Sequence, residues 1–298
     1  MMWKGYLDLH EQRESLKTLD NPPVCLTIAG LDPSGGAGII ADIKTFTAFG
    51  CFATAAVTSL TFQNTTGVFG AVHQAAETMR GQIEPVVQDF PIAAVKTGML
   101  PTGEIIEEVA RLVGENHLLN FVVDPVVRST SGFDLIDDAA LRVLIEKLFP
   151  PAIVVTPNIA EAERITNLKI ETENDRHFAA EKIRELGAKA VLIKGGHFLN
   201  ADCGLRIADL ENRRTARDLL LDDGGFTIFE DEWIETTATH GTGCTLASAI
   251  AANLALGKDL KTAISAAKKF VTEAIRTAPR LGHGNSPVNH GFTVVPQS

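Results

Sequence analysis

The chain reads as an α/β protein, with a mostly parallel central sheet and helices on both of its faces. Two patterns predict this. From Val24 onward, short β-branched runs alternate with longer stretches of helical spacing. Several of those runs are apolar at consecutive positions, as strands buried on both faces must be. Size agrees: 298 residues, 45% of them hydrophobic, can bury one large core, and α/β domains of this length commonly stay single.

The elements follow in order. Residues 1–23 are mixed in charge and end in Asn21-Pro22-Pro23, an N-terminal extension tied off before a single domain over 24–298. The expected strands are "VCLTIAG" (24–30), "TAAVTSLTFQN" (54–64), "AAVKTGM" (93–99), "FVVDPVV" (121–127), "IVVTPN" (153–158) and "AVLIKGG" (190–196). Between them 36–49, 74–90, 102–116, 137–149 and 174–187 carry helical spacing, the last with a charged outer face and a Gly stop. "RDLLLDDGGFTIFEDEWIETT" reads as short antiparallel strands around Asp222-Asp223-Gly224-Gly225. Two helices, about 243–256 and 259–279, close the chain.

Charge and cysteine usage exclude several function classes. A formal net charge of −10 invites neither nucleic acid nor an acidic membrane surface, and the pair Arg213-Arg214 is a solvated loop. Cys25, Cys51, Cys203 and Cys244 lie far apart with no C-x-x-C pair, which argues against a zinc cluster and a disulfide framework and for a reducing cytoplasm. The N-terminus has acidic residues and no apolar core of a signal peptide. No run approaches the ~20 apolar residues of a membrane helix.

Each expected strand ends in small or polar residues, so one rim of the sheet collects the chemistry, as ligands in such sheets bind beyond the carboxyl ends of the strands. "GLDPSGGAGIIADIKTF" is a glycine-rich turn that matches neither a dinucleotide fingerprint nor a P-loop. It is either a plain strand-to-helix turn or a backbone brought close to a flat substrate; Asp32 is a turn residue or a site residue, and Asp42 a helix-surface acid or a ligand.

The stretch "THGTGCTLASAIAANLALG" is more specific. Gly241, Thr242 and Gly243 are expected to present unpaired N–H groups at the positive end of a helix, a ready site for a phosphate. A thiol in that turn, Cys244, is expected to have its pKa lowered and to act as base or nucleophile, unless it is a small packing residue. Asp124 ends an apolar strand, and Asn158 and Glu161 open "NIAEAE". Mg²⁺ wants oxygen ligands and keeps several waters, so one or two such carboxylates suffice beside phosphates.

With these residues together, the chain resembles the hydroxymethylpyrimidine/phosphomethylpyrimidine kinases of thiamine biosynthesis, within the ribokinase-like kinases. The resemblance runs from about Val24 to His290. It rests on "TIAGLDPSGGAGIIADIKTF", "TSLTFQNTTGV", "KTGML", "DPVVRSTSG", "TPNIAEAE", "VLIKGGH", "THGTGCTLASAIA" and "GHGNSPVNH" in family order. It implies a ribokinase-like fold, ATP and Mg²⁺, and phosphoryl transfer to the hydroxymethyl group of an aminopyrimidine and then to the monophosphate. It also implies a homodimer. By position it assigns Gly30, Asp42, Thr61, Gln63 and Met99 to the pyrimidine. Asp124 and Glu161 fall to the metal, Asn158, Lys194 and Thr239 to the nucleotide side, Gly241, Thr242 and Gly243 to the anion hole, and Cys244 to the base. One departure is Thr130, where many members carry a lysine; Arg128 stands two residues earlier.

Three rivals follow from the same residues. A pyridoxal or pyridoxine kinase has the same glycine turn but usually an aspartate at position 244. Cys244 with His240 makes the nucleophile and base of a thiol hydrolase. A non-catalytic pyrimidine sensor is the third.

Overall fold

The structure is a computed structural model that describes residues 21–128, 132, 134–195 and 215–291. Residues 1–20 of the extension, Thr130, Cys203 and the Arg213-Arg214 pair lie outside the described residues. The strands are β1 (Val24–Leu31), β2 (Phe52–Asn64), β3 (Gly67–His73), β4 (Ile92–Thr97), β5 (Phe121–Val123), β6 (Val154–Val155), β7 (Val191–Ile193), β8 (Thr215–Asp222) and β9 (Gly225–Glu232). The helices are α1 (Gly38–Ala48), α2 (Ala76–Asp89), α3 (Gly103–Glu115), α4 (Asp138–Leu148), α5 (Ile159–Thr166), α6 (Glu173–Glu185), α7 (Thr242–Ala255) and α8 (Leu260–Arg276).

The strands form one sheet in the order β3-β2-β1-β4-β5-β6-β7-β8-β9. From β2 through β7 it is parallel; β3 pairs antiparallel with β2, and β8 and β9 add an antiparallel hairpin beside β7. The chain steps from β1 to β2 on one side of β1 and resumes with β4 on the other. That reversal opens a crevice at the carboxyl ends of β1 and β4, the position where ligands settle in open α/β sheets.

Three strands are shorter than their apolar runs. β5 stops at Val123, because Pro125 has no N–H to give the ladder, and β6 stops before Pro157 for the same reason. Beyond β7, Lys194 keeps only a single bridge to Asn158. These truncations leave Asp124, Asn158 and Lys194 just past the ladder, with their side chains free of sheet packing. Two elements lack a periodic signal of their own. β3 is an edge strand whose Gly70 faces Phe62, and α5 has only 8 residues, with its start fixed by a reciprocal Asn158–Glu161 capping box.

Alternation along the strands sorts the core into two clusters. Leu26, Ile28, Val95, Val123 and Val191 pack with α2, α3, α4 and α6 through Ile83, Ile105, Leu144 and Ile183. Their immediate neighbours Cys25, Ala94, Val122 and Leu192 join Phe46 of α1, Ile250 of α7 and Phe270 of α8. Each fully buried Leu, Ile, Val or Phe contributes about 1.5–3 kcal/mol of transfer free energy, so these clusters fix the strand ends that carry the site.

Candidate active site

A cavity of about 840 Å³ opens over the carboxyl rim of the sheet. Gly30, Thr61, Gln63, Met99, Asp124, Asn158, Glu161, Lys194 and the run from Thr239 to Cys244 all line it. Of the described residues that the resemblance assigns to the pyrimidine, the metal, the nucleotide side, the anion hole and the base, Asp42 alone does not line the cavity.

Around Gly30 the backbone is tightly drawn. The β1–β2 register shifts between Ala29 and Gly30, where β2 carries the extra residue Thr58, and a Cβ on Gly30 would lie 3.0 Å from the Met99 sulfur. The Thr61 hydroxyl donates to the Leu31 carbonyl at 2.8 Å and the Thr58 hydroxyl to the Met99 carbonyl at 2.7 Å, which holds the strand ends in register. Gly38 has a φ of +56°, and a Cβ there would strike the Gly30 carbonyl at 2.2 Å. Only glycine permits that approach. The result is a slot with a sulfur at one wall and the Gln63 amide at its edge, suited to a flat heterocycle with polar edges.

Asp42 is the first correction to the expected geometry. It is fully buried beneath the cavity and accepts from Lys96 Nζ at 3.0 and 2.9 Å, from Thr27 Oγ1 at 2.6 Å and from Ser248 Oγ at 2.6 Å. Burial would lower the Lys96 ammonium, but Asp42 raises it well above the usual lysine range. A carboxylate so fully occupied has no acceptor left to offer a ligand.

Gly241 caps α7 at φ +80° without any side-chain cap, which leaves first-turn N–H groups for an anion. Thr242 already reaches back to the Thr239 carbonyl, through its N–H at 3.4 Å and its hydroxyl at 3.1 Å. Cys244 brings the second correction. Burial pushes its thiol up to about 11, and the Asp124 and Asp42 charges add to this, against the lowering pull of Lys96 and of the Gly38 N–H. The helix start alone argued for a lowered value; loss of solvent outweighs it.

Lys194 Nζ lies 2.8 Å from Asp124 Oδ1 and 3.8 Å from Glu161 Oε2. Thr156 also donates to Asp124 Oδ1, at 3.2 Å. Glu161 accepts the Asn158 N–H at 2.7 Å. Burial raises the Glu161 carboxyl to about 7, with Lys194 lowering it and Asp124 raising it. Lys194 itself is pushed up to about 12, its carboxylate neighbours overcoming burial. A Cβ on Gly243 would sit 3.2 Å from Lys194 Nζ, so this ammonium borders the 241–243 turn. Two carboxylates sharing one ammonium leave a surplus negative charge on hard oxygen donors, a set that fits a hydrated divalent cation. Among the described residues no group of three His, Cys, Asp or Glu side chains converges as a closed metal cage.

Two features stand outside the expected set. His240 Nε2 lies 2.7 Å from Asp32 Oδ2, so the ring suggested as base for a thiol hydrolase is already engaged. Also in the cavity lining, Lys268 Nζ donates to Asp218 Oδ2 at 2.7 Å. Neither pair has a local sequence signature, since each joins residues far apart in the chain. Arg128 also lines the cavity and pairs with Asp134 at 2.8 Å.

Comparison with known proteins places the chain in a family. The hydroxymethylpyrimidine/phosphomethylpyrimidine kinase of Bacillus subtilis is 42% identical over 89% of this chain and 93% of its own. The thiamine biosynthesis bifunctional protein ThiED of Geobacter sulfurreducens is 45% identical, and this chain spans 51% of its length. Among solved structures, the phosphomethylpyrimidine kinase of Clostridium difficile 630 superposes with a TM-score of 0.71 at 40% identity, covering 85% of this chain and 99% of that one. The Bacillus subtilis pyridoxal kinase, solved as an ADP complex, gives 0.79 at 36% identity over 90% and 97%. The family model for phosphomethylpyrimidine kinase matches residues 32–289, a span that runs from the glycine-rich turn through both carboxylates to α7 and beyond. The chain is a member of the phosphomethylpyrimidine kinase family.

Proposed function

We propose that this chain transfers the γ-phosphoryl group of ATP to the hydroxymethyl group of 4-amino-5-hydroxymethyl-2-methylpyrimidine, and then a second to the monophosphate. The observation that carries the reading is the single cavity that joins a slot for a flat ring to an uncapped helix start and a surplus of carboxylates. The pyrimidine lies against Met99 and Gly30, and the Gln63 amide accepts from the exocyclic amine and donates to a ring nitrogen. Thr61 acts through the backbone it holds. The triphosphate lies along Lys194, Asn158 and Thr239, over the N–H groups of the 241–243 turn.

Transfer to an alcohol needs a proton acceptor and stabilised charge on the transferring group. The turn offers the Gly241 and Gly243 N–H groups to that charge, with Thr242 between them held back on the Thr239 carbonyl, and Lys194 adds a positive charge beside Gly243. Cys244 takes the proton from the hydroxymethyl oxygen. With its thiol near 11, only ~1 molecule in 10⁴ carries the thiolate at pH 7, so this step should quicken as pH rises. Asp124 and Glu161 hold Mg²⁺ when it is bound, where it neutralises charge on the phosphates. The monophosphate acceptor is already ionised and needs no base; Arg128, which lines the cavity, receives its charge by leaving Asp134.

The assembly and setting follow from the same reading. The alternating core clusters support helices on both faces of the sheet, in one kinase domain from Val24 onward. We propose a homodimer, supported by the exposed apolar side chains of Leu60, Phe62, Phe69 and Val72 on β2 and β3, in the cytoplasm that the scattered cysteines suit. No described helix is long and apolar enough to cross a membrane.

Coupled ADP release with the hydroxymethylpyrimidine, its monophosphate and pyridoxal as separate acceptors tests the reading. Turnover should be highest with the pyrimidine alcohol and measurable with the monophosphate. A preference for pyridoxal would overturn the substrate assignment.

A further inference from the structure

The glycine-rich turn after β1 and the anion-binding turn before α7 are 208 residues apart in sequence, yet they are built as one piece. Asp32 is 1% exposed and its carboxylate is saturated. Oδ1 accepts from the Ser34 N–H at 2.8 Å and the Ser34 hydroxyl at 2.7 Å. Oδ2 accepts from the N–H groups of Gly36 at 3.2 Å and Ala37 at 2.9 Å, and meets His240 Nε2 at 2.7 Å. Burial alone would raise the Asp32 carboxyl; the bonds from His240 and Ser34 outweigh it and hold it below the usual range. An ionised carboxylate only accepts, so His240 must carry its proton on Nε2.

Backbone contacts confirm that the two turns are seated on each other. A Cβ on Gly241 would come within 1.8 Å of the Gly36 carbonyl, and one on Gly36 within 2.3 Å of the His240 ring. On its other side His240 donates its backbone N–H to the Ser286 carbonyl at 3.2 Å, beside a parallel bridge to Pro287. His240 is thus gripped from three directions and transmits its position to Gly241, the next residue.

We propose that the His240–Asp32 bond is a positioning latch that sets the distance between the two turns, and with it the distance between acceptor oxygen and transferring phosphorus. The argument rests on the phosphoryl-transfer reading above. Under that reading the acceptor ring lies against one turn, through Gly30 and Gly38, and the transferring group lies on the other, through Gly241 to Gly243. Each ligand can bind its own turn without the latch. Transfer between them requires the reacting atoms to be held at about 3–3.5 Å and aligned, and a displacement of about 1 Å costs on the order of 10²-fold. A latch therefore acts on kcat and spares the separate affinities, whereas a merely structural residue lowers stability and affinity together.

The test uses the full-length chain with His240→Leu, His240→Gln and Asp32→Asn. In His240→Leu, kcat for the pyrimidine alcohol should fall about 10²-fold, while calorimetric Kd values for the pyrimidine and for ADP stay within about threefold of wild type. His240→Gln, which places an amide N–H where Nε2 stood, should recover most of that loss and keeps the proposal testable should the leucine variant fail to fold. Because the two residues act as one unit, Asp32→Asn combined with His240→Leu should lose no more than the worse single variant. Unchanged kcat in His240→Leu, a loss confined to one ligand's Kd, or additive losses in the double variant would each overturn the latch. Wild-type turnover tests the kinase reading separately. If wild type turns over no acceptor, that reading fails, and ¹⁵N-histidine spectra still decide the latch. A slowly exchanging Nε2 proton, missing in His240→Gln, supports it, and the absence of such a proton in wild type overturns it.

Discussion

Lys96 and Lys194 are both lysines drawn out of solvent by an aspartate, and both stand at the end of a parallel strand, but their surroundings differ in balance. Lys96 has one carboxylate partner, Asp42, whose remaining acceptor capacity is taken by Thr27 and Ser248; both charged side chains are 0% exposed. Lys194 is shared by Asp124 and Glu161 on the cavity wall, and Glu161 is raised to about 7 by burial, with the Asp124 charge adding to it. The first group is closed and neutral, part of the scaffold. The second has a carboxylate too many, and the group that would balance it is an incoming divalent cation.

The comparison breaks first at Lys96. Lys96→Met leaves Asp42 buried without its counter-charge and should cost about 3–5 kcal/mol of stability, read as a lowered urea midpoint. A cost below about 1 kcal/mol would mean that the pair is not structural. At the other lysine the order of effects should reverse: Asp124→Asn should lower turnover roughly 10²–10³-fold with little change in the urea midpoint. A Mg²⁺ titration superimposing on wild type would return Asp124 to a structural role.

Glu161 sharpens the contrast through pH. Its folded pKa, about 7, lies above the ordinary 4.5, so the folded chain holds a proton that the unfolded chain releases between these values. The wild type should therefore gain stability from this group as pH falls from about 7 toward 4.5, and lack that gain above 7. Glu161→Gln, which keeps the capping acceptor, should be more stable at pH 8 by up to about 3 kcal/mol while needing more Mg²⁺ for half-maximal rate. Equal stability at pH 8 would mean that burial does not tax this carboxylate. Smallest is Gln63→Ala, which should weaken pyrimidine binding by about 1–3 kcal/mol and leave ADP binding unchanged in calorimetry. A matching loss of ADP affinity would show that Gln63 shapes the whole cavity.

What could be read in the sequence divides along the same line. Residues at strand ends and at the start of α7 were legible, because apolar runs followed by Gly, Asp or Asn mark the rim directly. Asp42 was not: a helix acid every third or fourth residue looks alike whether it faces solvent, a ligand or a lysine 54 positions away. Asp32 and His240 were visible only as a turn acid and a candidate base, since their partnership exists only once β1 and α7 meet. The thiol failed for a related reason. A local rule lowers a cysteine at a helix start, and burial, a property of the whole fold, reversed the sign. β3 and α5 were missed because an edge strand holding glycines and a helix of 8 residues carry too little periodicity.

The central claim is that Cys244 serves the alcohol transfer as its base while the 241–243 turn serves both transfers. The direct measurement is ADP release by wild type and Cys244→Ala with the hydroxymethylpyrimidine and with its monophosphate, across pH 7–9. The account predicts a loss of ~10²–10⁴ on the alcohol and a far smaller loss on the monophosphate. It also predicts a wild-type alcohol rate that climbs about tenfold per pH unit toward the thiol pKa and flattens in the variant. Should wild type not use the monophosphate, the alcohol rate and its pH profile carry the test alone. Equal losses on both acceptors, or a wild-type alcohol rate indifferent to pH, with fold and ADP affinity intact, would contradict the base assignment.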